Sequence, residues 1–370
     1  IHNYTLPATR FQFCLVPLYA TGSKELNGIG RLGYSWYANN GRKIELSVSG
    51  SKFTADQFTD STGTKNNQPF YKIAPSLKYV FANKRPRSTV TKYIQWKTFF
   101  ITETGLQFNR DTINQLDIIS YPTKSRYLNQ LQFVIENNRA LYPYKGALQA
   151  EQADGFVRLN FTGNYFFDYA SGGGLNLRFF AGKFIYTGDK TFLAQYQTDA
   201  YHLNLSGPKG SEDYTYSNYF VGRNEFEGFS NQQIMNRDGA FKVRTDLLAD
   251  KIGKTDDWLT ALNFTTTIPK KINPLQVLPI AIPIRIFFDI GTYAEAWKSD
   301  ALTGKFLFDA GFQLSFFKDV LNVYFPVLYS KVYRDYFKST ITEKRFQKNI
   351  SFSIDIQNIS FRKLSSQIPL

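Results

Sequence analysis

"KFLFDAGFQLSFFK", residues 305–318, reads with a period of two. Its even positions are Phe306, Phe308, Ala310, Phe312, Leu314 and Phe316, and its odd positions are Lys305, Leu307, Asp309, Gly311, Gln313 and Ser315. In a β-strand these two sets face opposite ways. One face is apolar and aromatic, the other small and polar. A soluble sandwich would press the apolar face against a second layer, whereas a membrane barrel turns it to lipid and keeps polar groups inside. The rest of the chain decides between them.

The same alternation recurs along the chain. "KIELSVS" (43–49) sets Ile44, Leu46 and Val48 against Lys43, Glu45, Ser47 and Ser49. "VRLNFTGNYFFDY" (157–169) and "NISFSIDIQ" (349–357) behave alike, and no long segment keeps a helical period of 3.6. Strands are predicted near 10–19, 28–38, 43–55, 70–82, 90–103, 127–137, 144–153, 156–169, 175–187, 257–268, 283–296, 305–317, 320–330 and 348–359. Short turns such as "NNGR" (39–42) and "SGGG" (171–174) alternate with longer polar loops at 56–69, 104–126 and 188–256. Short turns on one rim and long loops on the other are the pattern of outer-membrane barrels. The polar faces carry mainly Ser, Thr, Asn, Gln and Gly, as a lined interior would. The loop 188–256 is too long for a plain connection and is expected to hold structure of its own.

Composition agrees. The 370 residues include 35 Phe, 24 Tyr and 4 Trp, a stock that long strands with aromatic girdles would use. Mean hydropathy is −0.32, compatible with strands that show lipid only every second residue. No apolar run reaches the ~20 residues of a membrane helix. The net charge of +14 is spread along the chain without a basic patch or tail, which argues against nucleic acid. Cys14 stands alone, so no intrachain disulfide forms, and it reads as a small apolar strand residue. Only His2 and His202 are present, with no H-E-x-x-H, so no metal site, cofactor or catalytic constellation is expected. His202 reads as an exposed loop residue. "GIGRLG" (28–33) spells G-x-G-x-x-G but runs into an aromatic strand instead of a helix, so no dinucleotide site is expected.

The most distinctive stretch is "YFVGRNEFEGFSNQQIMNRDGAFK" (219–242), followed after one strand by "FFDIGTYAEAW" (287–297). This order resembles the C-terminal barrel of the BamA/TamA superfamily of outer-membrane proteins. In that family a long loop folds into the lumen with a V-R-G-F tip, and its arginine pairs with a D-x-G aspartate on the wall. Phe226-Glu227-Gly228-Phe229 resembles the tip and Asp289-Ile290-Gly291 the wall element, with Glu227 in place of the arginine. Glu227 is therefore expected to need a cation such as Arg223, Arg244 or Arg285. The spelling looks closest to barrels fused to gluzincin-like metallopeptidases of Bacteroidetes-type bacteria.

The resemblance implies an all-β, antiparallel transmembrane barrel of 14–16 strands in a bacterial outer membrane. It forms a single domain over 1–370, itself a possible fragment, with two further strands upstream of Ile1 or a pair hidden in 104–126. Its partners would be outer-membrane lipid and lipopolysaccharide, with other outer-membrane or periplasmic subunits. Glu227, Gly228 and Phe229 should lie in the lumen near Arg285, Asp289 and Gly291. Phe306, Phe308, Phe312, Leu314, Ile350, Phe352, Ile354 and Ile356 should face lipid. The expected role is a membrane anchor or subunit for a peptidase-like domain or larger complex, with any peptidase activity upstream. The alternatives are a BamA-like insertase, a passive channel and a soluble β protein.

Overall fold

The computed structural model describes residues 1–5, 8–38, 41–83, 85, 87–110, 117–188, 201–225, 228–244, 252–269, 273, 283–317 and 319–356. Alternating segments become strands because their two faces meet different surroundings. The first are β1 (Phe11–Ala20), β2 (Glu25–Tyr37), β3 (Lys43–Thr59), β4 (Lys65–Val80) and β5 (Val90–Thr104). Next come β6 (Gln107–Arg110), β7 (Asp117–Ser120), β8 (Thr123–Asn137), β9 (Tyr144–Ala153), β10 (Phe156–Asp168) and β11 (Gly174–Tyr186). The long loop contributes β12 (Leu203–Asn204) and β13 (Lys254–Thr255). The chain continues with β14 (Trp258–Thr267), β15 (Ile284–Tyr293), β16 (Leu307–Phe316) and β17 (Leu321–Tyr329). It then forms two helices, α1 (Lys331–Thr340) and α2 (Arg345–Asn349), before β18 (Ser351–Ile354).

One sheet takes fourteen of these strands in the order β1-β2-β3-β4-β5-β8-β9-β10-β11-β14-β15-β16-β17-β18. Its strands are the fourteen that alternation marks out, and the class is all-β and antiparallel, as expected. The pair sought in 104–126 exists as β6 and β7, but these form a two-stranded sheet of their own. The last strand is shorter than expected: residues 345–349 coil into α2, and 357–359 lie outside the described residues. "GIGRLG" lies wholly within β2, and Cys14, a free thiol, lies on β1. The turn between β10 and β11 needs glycine, because Gly172 and Gly173 have φ of +85° and +77°.

The chain divides into two compact units, Ile1–Ile135 with Gln149–Asp154, and Glu136–Leu148 with Gly155–Leu370. In the first, Leu46, Leu77 and Trp96 are exposed on one face of β3, β4 and β5, while the opposite face is polar. In the second, Phe161, Phe179, Ile286, Phe288 and Phe312 are exposed on one face. The core of this unit lies on the other side, where Phe156, Phe180, Leu259, Phe287 and Tyr324 are buried along with loop residues Leu203, Leu205, Ile234 and Phe241. The bare face is thus the apolar one, the reverse of a soluble β layer.

Candidate functional site

The second unit's polar face carries acidic groups that strand pairing forces together. Across β14, β15 and β16 the register places Asn263 opposite Asp289, and Asp289 opposite Asp309. Both carboxylates are 0% exposed. Two buried carboxyl groups side by side have lost their hydration and cannot both carry charge cheaply, and a nearby cation offsets that cost. The long loop supplies it. Lys242 Nζ donates to Asp289 Oδ2 at 2.8 Å, and the backbone N–H groups of Lys242 and Val243 donate to Asp309 Oδ2 at 2.8 and 3.0 Å. Asn263 Nδ2 donates to Asp289 Oδ1 at 2.9 Å and to the Gly239 carbonyl at 2.8 Å. One row of wall residues therefore holds residues 239–243 through both backbone and side chain.

The turn leading into Lys242 is equally constrained. Asp238 and Ala240 have φ of +52° and +53°, in the left-handed region. A Cβ on Gly239 would sit 2.5 Å from the Leu205 Cα, so only glycine fits there. Asp238 pairs with Arg158 of β10, both fully buried, and Arg158 Nη1 donates to Tyr214 Oη at 2.5 Å. Phe241 N–H donates to the Leu205 carbonyl at 2.8 Å, joining the two ends of the loop. Leu205 in turn packs on Gly291, where a Cβ would lie 2.6 Å from its Cδ2.

A second buried cluster organises the loop itself. Glu212 lies against Lys254 of β13, with His202 Nε2 at 3.4 Å. Its other carboxylate oxygen accepts from the Lys209 N–H at 2.9 Å. Burial works against ionisation of Glu212, but Lys254 and His202 outweigh it and hold the carboxyl well below the usual carboxylate range. A depressed carboxyl adds stability that is complete above its unfolded value of ~4.3 and is lost as pH falls through the folded one. Limited proteolysis of the folded chain should therefore find the loop protected at pH 5 and released only in stronger acid. Glu212→Gln should remove much of that acid dependence; an unchanged acid profile in the variant would contradict this role.

The loop also reaches the sheet's last strand. Gln233 forms a parallel bridge with Phe352, and Ile234 N–H donates to the Phe352 carbonyl at 2.8 Å. Ser351 Oγ donates to the Lys242 carbonyl at 2.6 Å, and Gln232 Nε2 to the Gln347 carbonyl at 2.9 Å. The Phe229 and Phe352 rings stack at 4.6 Å.

Several expected placements change. Asp289 meets Lys242, whereas Arg285 pairs with Asp319 at 2.6 Å near the β16–β17 turn, four residues along its strand from Asp289. Arg223 serves Asp213 at 3.6 Å, and Arg244 donates to the Lys348 carbonyl. Glu227 lies outside the described residues. Gly228 has φ +80° with open space around it, and Phe229 is 63% exposed, so neither is a buried plug. Phe352, expected to face lipid, is instead 2% exposed between the equally buried Ser351 and Ser353, with the Phe229 ring stacked on it. Phe306, Phe308, Phe312 and Ile356 are exposed, and Leu314, Ile350 and Ile354 are half-buried. His202 is buried in the Glu212 cluster and not exposed. Among the described residues, no group of three or more His, Cys, Asp or Glu could hold a metal ion. What the arrangement does chemically is lock a loop.

No family model matches the chain, and no curated protein matches it. Among solved structures it is similar to BamA from Haemophilus ducreyi lacking POTRA domains 1-3, at 11% sequence identity and a TM-score of 0.45, covering 86% of this chain and 60% of that one. It is also similar to CdiB from Acinetobacter baumannii, at 8% identity and a TM-score of 0.40, covering 87% of this chain and 51% of that one. The chain thus spans between half and three fifths of those two chains.

Proposed function

We propose that the chain is a bacterial outer-membrane β-barrel, a single domain whose bare apolar face meets lipid and whose long loop is a fixed plug. Its role is a membrane anchor or subunit for a peptidase-like domain or a larger outer-membrane complex. It performs no reaction itself; the membrane lipid, lipopolysaccharide and neighbouring subunits are its partners. Lipid contact is supported by the exposed Phe161, Phe179, Phe288 and Phe312, an apolar surface that water would leave unpartnered.

The anchor role rests on one observation: the loop is locked at both its carboxylate pair and its strand edge. An insertase needs a last strand free to exchange partners, whereas here Gln233 and Ile234 already bond to β18. A BamA-like insertase stays as the second reading because β18 has only four residues and so pairs only briefly with β17. The two readings separate in liposomes. Urea-unfolded client barrels should fold into vesicles carrying this chain no faster than into empty ones. A severalfold acceleration would replace the anchor reading with the insertase.

A further inference from the structure

The connection between β17 and β18, residues 330–350, is strongly basic. It holds Lys331, Arg334, Lys338, Lys344, Arg345 and Lys348 against Asp335 and Glu343, a net charge of +4. Every one of these side chains is exposed, and none forms an ion pair among the described residues. Three of the cations make a stripe. Lys331, Arg334 and Lys338 stand at positions i, i+3 and i+7 of α1, on one face, spanning about 10 Å along its axis. Tyr333 and Phe337, on the adjoining face, are buried. The Phe337 ring meets Tyr329 edge-on at 5.3 Å. Tyr333 Oη lies 3.1 Å from where a Cβ on Gly253, at the foot of the long loop, would be. These contacts fix how the helix is turned, so the stripe stays outward. Asp335 shares the exposed side without pairing with any of the three, which leaves three cations to one carboxylate.

The stripe stands at the border of the bare apolar face. Phe308 N–H donates to Ser330 Oγ at 2.8 Å, and Ser330 N–H donates to the Phe308 carbonyl at 3.0 Å, which clips the start of α1 to β16. The Phe308 side chain is exposed, as are Phe306 two residues before it and Leu328 at the end of β17. Phe306 packs edge-on against Trp297 at 6.1 Å, and Lys305 Nζ lies 4.7 Å from the Trp297 ring centre. Aromatic rings backed by cations belong where lipid tails give way to headgroups. The antiparallel order puts this border on the rim that carries the long loop, opposite the short β10–β11 and β16–β17 turns. Short turns face the periplasm in outer-membrane barrels, so this rim faces the outer leaflet.

We propose that Lys331, Arg334 and Lys338 bind the phosphate groups of a phosphorylated glycolipid of the outer leaflet, its acyl chains lying against Leu328, Phe306 and Phe308. Three cations within two helical turns suit a headgroup that bears more than one negative charge. The exposed apolar side chains beside them favour a lipid over free phosphate, which has no use for such neighbours. The inference rests on the proposed outer-membrane barrel, and it gives the lipopolysaccharide contact of that reading one place on the rim.

The test uses the full chain folded in a zwitterionic detergent, titrated with lipid A and followed by thermophoresis. Saturable binding is expected, at least tenfold weaker for lipid A stripped of its phosphates. The triple variant Lys331→Gln/Arg334→Gln/Lys338→Gln should also bind at least tenfold more weakly. Removing three exposed cations from the first unit, in Arg85→Gln/Arg87→Gln/Lys92→Gln, should leave binding almost unchanged. Equal losses in the two variants, or unchanged binding in the first, would overturn the site. Inorganic pyrophosphate at the concentration of lipid A should not compete; full competition would overturn the assignment to a lipid. Heat-modifiable gel mobility of each sample reports separately whether the barrel has formed. A heat-modifiable chain that does not bind lipid A overturns this site alone, whereas a chain with one mobility overturns the barrel reading beneath it.

Discussion

Replacing Lys242 with methionine should destabilise the folded chain by about 3–5 kcal/mol, the range seen when one partner of a buried ion pair is removed. The ammonium hydrogen-bonds Asp289, and strand pairing holds Asp289 directly opposite Asp309. Without it two buried carboxylates face each other, with backbone N–H groups left only on Asp309. Methionine keeps the length of the side chain, so lost packing contributes little. The shift should appear in the urea midpoint of the detergent-folded protein and in faster cleavage of the loop. Adding Asp289→Asn to Lys242→Met should recover much of the loss, because the amide carries no charge to compensate. A Lys242→Met variant as stable as the parent would mean the loop is held by something other than this pair.

The second large effect concerns the other side of the same strand. Phe312 is 47% exposed, between the buried Gly311 and Gln313. Arginine at Phe312 should cost about 2–4 kcal/mol if the residue lies near the bilayer midplane. The penalty should be present in lipid vesicles and much reduced in a detergent whose headgroups reach the side chain. Arginine at Gln313 would fail for a different reason, since Gln313 Nε2 donates to Ser315 Oγ and Asn322 Oδ1 at 3.0 and 2.8 Å. That loss should be equal in vesicles and detergent. Equal behaviour of the two variants in both media would contradict the assigned faces.

Strand existence was legible because alternation is local: each of the fourteen segments carries its own period of two. The ends were less so. The last strand was expected from 348, yet residues 345–349 coil into α2 and β18 begins only at Ser351. The lock was harder to read. Within 219–242 the family resemblance points to Glu227, whereas it is Lys242 at the end of the stretch that meets the wall. Periodicity says that Asp289 and Asp309 share the polar face with Gln313; it does not say what meets them. Lys242 and Asp289 lie 47 positions apart, and no local pattern couples them. A usable signal was present in the opening stretch: Asp309 is an acidic residue amid aromatic ones on a strand whose neighbour carries Asp289, and such a pair favours a nearby cation. Arg158 and Asp238 were hidden likewise, since each looks like an ordinary polar position until the fold buries both.

The central claim is that these strands enclose their polar face and turn the apolar one to lipid. Gel electrophoresis of the purified chain in detergent, unheated against boiled, tests it most directly. A closed barrel should stay compact in the cold sample and migrate faster than the boiled chain. A protein that is monodisperse without detergent, with one mobility in both samples, would contradict the account.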